Sequence, residues 1–138
     1  MENESKTPAA GLSGPELCER VAEAMGWERC RGGYRMPREK GERRGRIREI
    51  CEPSWDEDTL WAIEEFWPIG DGNNLAEVLA ECKQRNWDWQ CRTDTVGKQY
   101  RFEASVALYR DNSRAATGYT FPVAFLRAFV AAAEASQQ

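Results

Sequence analysis

Two stretches alternate strictly between apolar and polar side chains: Trp87-Asp88-Trp89-Gln90-Cys91-Arg92-Thr93 and Tyr100-Arg101-Phe102-Glu103-Ala104-Ser105-Val106-Ala107-Leu108. A period of two sends successive side chains to opposite sides of an extended backbone, so each run predicts a strand with one buried face. Only Asp94 to Lys98 and Gln99 separate them, which makes them the arms of a β-hairpin. Trp87 and Trp89 then belong to the inward face. The predicted core is Leu17, Val21, Trp27, Leu79, Trp89, Phe102, Val106, Leu126 and Phe129.

Helical spacing surrounds the hairpin. Ser13 with Glu16 has the form of a reciprocal N-terminal cap, Leu17, Val21, Ala24 and Met25 follow on one face, and Gly26 is placed to end the helix. Trp27 to Met36 reads as an irregular strand or hairpin broken at Gly32-Gly33, and Pro37 to Arg48, with Ile47 its one aliphatic residue, as a solvated loop. Ser54 with Glu57 predicts a second helix carrying Leu60, Ile63 and Trp67 up to Pro68. Asn74 predicts the cap of a third, with Leu75, Val78, Leu79 and Cys82 aligned. Pro122 opens a last helix with Val123, Leu126, Phe129, Val130 and Ala133 inward.

This order predicts an α+β fold, an antiparallel sheet with a β-hairpin covered by helices, in a single domain over residues 13–136 behind a loose arm at 1–12. The 138 residues, 41% of them hydrophobic, suffice for a core without staples. Three segments in sequence carry a family resemblance: Leu17-Cys-Glu-Arg-Val-Ala-Glu-Ala-Met-Gly-Trp27, Pro53-Ser54-Trp55-Asp56-Glu57-Asp58 before a helix with Trp61, and the closing Pro122 to Ala128 helix. In these the chain resembles the phage ABA-sandwich domain across roughly residues 14–134. The resemblance implies an alpha/beta/alpha sandwich and a setting in tailed-phage and prophage genomes; the family has no established general activity.

Charge is distributed unevenly. Nine basic residues against two acids between Arg29 and Arg48 make that segment +7 in a chain of net charge −4. The segment is longer than the family's usual link at this place. Arg38, Lys40, Arg43, Arg44, Arg46 and Arg48 are the candidate contacts to phosphate or another anionic partner, arginine offering bidentate geometry. Trp61 or Trp67 is the candidate exposed aromatic beside them, suited to stacking or to anchoring an interface. Solvation of the basic loop by water and by the protein's own acids is the competing reading.

Catalytic chemistry has little to work with. The chain has no histidine, and its five cysteines stand apart with no C-x-x-C pair, so neither a zinc site nor a structural disulfide is expected, and no cofactor. Asp56, Glu57, Asp58, Glu64 and Glu65 read as first-turn and polar-face acids. No apolar run is long enough to cross a membrane. These readings and the resemblance together lead to a non-catalytic phage accessory protein in the host cytoplasm. It would act by binding, as an inhibitor of a bacterial defence system that blocks a defence protein or sequesters a nucleotide signal. The alternative is a virion or nucleic-acid-handling accessory protein whose basic loop contacts DNA or RNA.

Overall fold

Each of the first two long helices ends in the same turn and hands the chain to a strand through a tryptophan. The computed structural model describes residues 8–37, 41, 45–51, 64–96, 99–109 and 112–136. Helix α1 (Gly14–Ala24) closes with Gly26 at φ 86°, and the Gly26 and Trp27 N–H groups donate back to Glu23 O and Ala22 O. Helix α2 (Gly72–Gln84) closes with Asn86 at φ 59°, and the Asn86 and Trp87 N–H groups donate to Lys83 O and Cys82 O. Both are Schellman turns, which need a residue that tolerates the left-handed region, and glycine and asparagine are the two that do so most readily.

Strands β1 (Glu28–Cys30), β2 (Gly33–Arg35) and β3 (Ile47–Ile50) pair antiparallel, and β4 (Glu64–Phe66) joins β3 in parallel. Strands β5 (Asp88–Val96), β6 (Gln99–Tyr109) and β7 (Asn112–Gly118) form a second, wholly antiparallel sheet with β6 in the centre. The predicted hairpin is β5–β6, in register from Asp88 opposite Ala107 to Val96 opposite Gln99. Helix α3 (Phe121–Ser136) packs on β6 and β7 and touches α1, which in turn contacts β1 and β3. The molecule is α+β, as its element order predicts.

The two helix-ending tryptophans share an environment as well as a turn. Trp27 lies 4.7 Å from Phe66, centroid to centroid, with the Arg48 guanidinium 5.5 Å and 5.2 Å from the two rings. Trp87 lies 5.9 Å from Phe129, with Arg85 4.8 Å and 5.7 Å from that pair. Arg85 also donates to Glu81 and to Ala24 O, binding the end of α2 to the end of α1. A cation held against two rings while its terminal guanidinium nitrogens donate hydrogen bonds can be buried at tolerable cost.

Around α3 the core closes. Ala124, Phe125, Leu126, Ala128, Phe129, Val130, Ala132 and Ala133 are all buried, so this helix is covered on nearly every side. Arg127 donates to Leu12 O at 2.7 Å and to Thr117 O at 2.8 Å, and Arg20 of α1 pairs with Glu134. Of the predicted core, Leu17, Val21, Trp27, Val106, Leu126 and Phe129 are buried, while Leu79 and Phe102 are partly so.

Several local expectations are corrected. Ser13 makes no side-chain cap, because Gly14 at φ 54° turns the chain out of the geometry in which its hydroxyl reaches the first-turn N–H groups. Asp71, not Asn74, caps α2, and the Asn74 amide oxygen instead accepts from Trp67 N–H at 2.7 Å. The end of the expected second helix is strand β4, and residues 52–63 lie outside the described set. The tail of the expected basic loop is strand β3. Gly33 is fixed there: at φ 143° it passes so close to Arg48 O that a β-carbon would collide with it.

Candidate functional site

The predicted basic site is divided by the fold. Arg38, Lys40, Arg43, Arg44 and Trp61 lie outside the described residues. Arg46 is exposed, just before β3, and its carbonyl accepts from Met36 N–H. Arg48 is corrected. At 3% exposure it is internal, donating to both Glu77 oxygens at 2.9 Å and 3.2 Å and to Glu65 O at 3.3 Å. Alternation along β3 turns Arg48 inward where neighbouring Ile47 and Glu49 turn out, so a residue chosen as a surface cation joins the strands to α2 instead. Trp67 is half-buried, its indole lying over Gly70.

A different aromatic is open to solvent. Trp89, predicted to be in the core, is 40% exposed. It does face the side of the sheet that α3 covers, and its ring sits 5.6 Å from both Phe121 and Phe125. Alternation assigns the side correctly, but it says nothing about how far a covering helix extends. Phe121 is the first residue of α3, so part of the indole lies beyond the helix.

Leu79, Lys83, Asn86, Trp87, Asp88 and Trp89 line one cleft of about 470 Å³ between the end of α2 and the start of β5. The Schellman turn places these residues. By reversing the chain at Asn86, it sets the last turn of α2 beside the first residues of the strand. Trp87 forms a wall whose ring is already engaged by Arg85 and Phe129, whereas Trp89 retains open surface. Lys83 is exposed and makes no ion pair among the described residues. A smaller depression of about 280 Å³ on the opposite face of β5–β6, lined in part by Gln90 and Ser105, is crossed by the Arg92–Glu103 ion pair at 2.7 Å.

Thiol chemistry is suppressed at four of the five cysteines. Burial pushes the Cys18 thiol up to about 12 and the Cys82 thiol up to about 11. Cys51 is raised to about 11 by burial and then by the nearby carboxylates of Glu65 and Glu49, and burial also raises Cys91. Each is held in the neutral form, the opposite of an activated nucleophile. Among the described residues no group of three or more acids and thiols is arranged to hold a metal ion, and no helix is long and apolar enough to cross a membrane.

A pH dependence follows from the two buried thiols and from Tyr34, whose hydroxyl is pushed up to about 12 by burial and by Glu23, to which it donates at 3.1 Å. Groups whose folded pKa is raised add stability that is complete below their unfolded values and lost as pH climbs toward the folded ones. With ordinary values of 9.0 for the thiols and 10.0 for tyrosine, urea midpoints should hold steady up to about pH 9 and fall steadily above it. A Cys18→Ala variant should show a shallower fall. The same slope in both proteins would mean that Cys18 is not the group being titrated.

Neither a protein-family model nor a curated protein matches the chain.

Proposed function

We propose that this protein acts by binding rather than by catalysis, and that the cleft between α2 and β5 is its contact site. The observation that carries the reading is Trp89: a residue 40% exposed whose large indole is held by Phe121 and Phe125, beside an exposed lysine. Tryptophans of this kind dominate binding energy at interfaces, because a rigid ring loses little entropy on contact. Thiols held neutral, in a chain without histidine, support a role outside nucleophilic catalysis.

The resemblance to the phage ABA-sandwich domain supplies the setting. In that setting the protein is an inhibitor of a bacterial defence system in the host cytoplasm, blocking a defence protein or sequestering a nucleotide signal. Contact with DNA or RNA through the basic segment is the weaker reading. Arg48 is spent inside the molecule, Arg35 donates to Gly45 O, and Arg29 pairs with Glu19 at 3.4 Å.

The test is affinity capture of the tagged protein from phage-infected cells beside a Trp89→Leu variant, with mass spectrometry of co-eluting proteins and heat-released small molecules. Leucine keeps apolar contact with Phe121 and Phe125, so the melting temperature should move little. A partner retained by the parent and lost from the variant is the expected result. Equal recovery from both proteins would remove the cleft from the interface.

A further inference from the structure

We propose that the α2–β5 cleft is a nucleotide site that stacks a purine base on Trp89 and meets a single phosphate with Lys83; the proposal rests on the reading of this cleft as the contact site. One basic loop cannot form a ligand pocket, which needs elements converging from different directions. Here two converge: Leu79 and Lys83 come from the last two turns of α2, and Asp88 and Trp89 from the start of β5. Their cleft, about 470 Å³, falls within the range of small-molecule sites, about 300–1,000 Å³.

The two tryptophans have different parts. Trp87 carries Arg85 against its ring at 4.8 Å and packs on Phe129, so it walls the cleft. Trp89 is the platform. Phe121 at 42° and Phe125 at 65° to its plane fix the indole, and its remaining surface opens into the cleft. A fixed ring with open surface suits a flat heterocycle, which stacks whatever its hydrogen-bonding edge.

The charges limit what accompanies that ring. Of the two cations at the end of α2, Arg85 is committed to Glu81, Ala24 O and Trp87. Lys83 has no acid three or four positions away, its neighbours there being Leu79, Ala80, Asn86 and Trp87, and its ammonium remains available to an anion. A helix C-terminus ordinarily repels anions through its bare carbonyls. Two of those carbonyls already accept from Asn86 and Trp87 N–H, which softens that repulsion. Asp88 is exposed at the same cleft. Alternation turns its side chain away from the Trp89 face, which leaves Lys83 as the charge that meets a ligand there, and one cation beside one indole matches a purine, the base with the larger stacking face, carrying one phosphate.

Isothermal titration of the full chain with AMP, GMP, adenosine and inorganic phosphate tests this. AMP or GMP should bind saturably, adenosine more weakly, and phosphate alone weakest. Trp89→Leu should weaken the nucleotide about tenfold or more, within the range measured for single base-stacking contacts. Lys83→Gln is an exposed change that leaves the fold intact; it should weaken the nucleotide by a similar factor and leave adenosine unaffected. The proposal is overturned by no saturable heat from either nucleotide at millimolar concentration, by phosphate binding as well as AMP, or by a Lys83→Gln protein that binds AMP like the parent. If nucleotides fail while Trp89→Leu still loses its partner in infected cells, only the ligand class falls. If that capture is also indifferent to Trp89, the contact-site reading falls with it.

Discussion

Replacing Phe129 with alanine should cost about 3–5 kcal/mol, the range for truncating a fully buried aromatic that its neighbours cannot collapse onto. Phe129 is completely buried, 5.9 Å from Trp87 and 6.4 Å from Phe125, and it supports one side of the Arg85 stack. Losing it therefore opens a void in the core and slackens the clamp between α1 and α2. Urea denaturation followed by circular dichroism should show a lower midpoint with an unchanged slope. A loss below about 1 kcal/mol would mean that α3 is not the central packing element.

Changing Glu77 to leucine should be nearly as damaging, about 3 kcal/mol or more, for an electrostatic reason. Arg48 has 4% side-chain exposure, so removing Glu77 takes a carboxylate that accepts from two of its nitrogens away from a buried guanidinium. The reverse truncation is milder. Glu77 keeps 32% side-chain exposure, and water can solvate its carboxylate once Arg48 is gone. Arg48→Met should therefore cost less than Glu77→Leu, and the double variant should recover much of the loss by exchanging an ion pair for apolar packing. Strictly additive losses in the double variant would show that the two side chains act independently.

Legibility in the sequence follows how far each signal reaches along the chain. Strands β5 and β6 are legible because each has a single buried face, and alternation is local to seven or nine residues. Helix α3 is legible from Pro122 and its apolar run. Strand β7, read as Asn112-Ser-Arg-Ala-Ala-Thr-Gly118, is not, for it carries small residues rather than the branched and aromatic ones that favour strands. Its partner across the ladder decides it, and Gly118 is required where the backbone of Ala124 in α3 comes too close for a β-carbon. Strand β4 depends on a parallel neighbour fourteen residues or more away, which no local pattern records. The site was half legible. Tryptophan abundance and surplus cations marked stacking chemistry, but Arg48 and Trp89 exchange roles, the cation inside and the indole open. Alternation along β3 decides the first, and the extent of helix α3 the second.

Helix α3 follows in chain order every strand that it covers. During synthesis, both sheets leave the ribosome before the helix that covers β6 and β7. Val106, Leu108 and Trp89 then lack the helix that covers their face of the three-stranded sheet until Phe121–Ser136 has emerged, and Leu12 and Thr117 await Arg127 for the same interval. The fold is completed from its far end. A nascent chain halted before Phe121 would present a sticky apolar sheet, and the tolerance of this protein for slow translation or for chaperone shortage should be set by the time taken to deliver one helix.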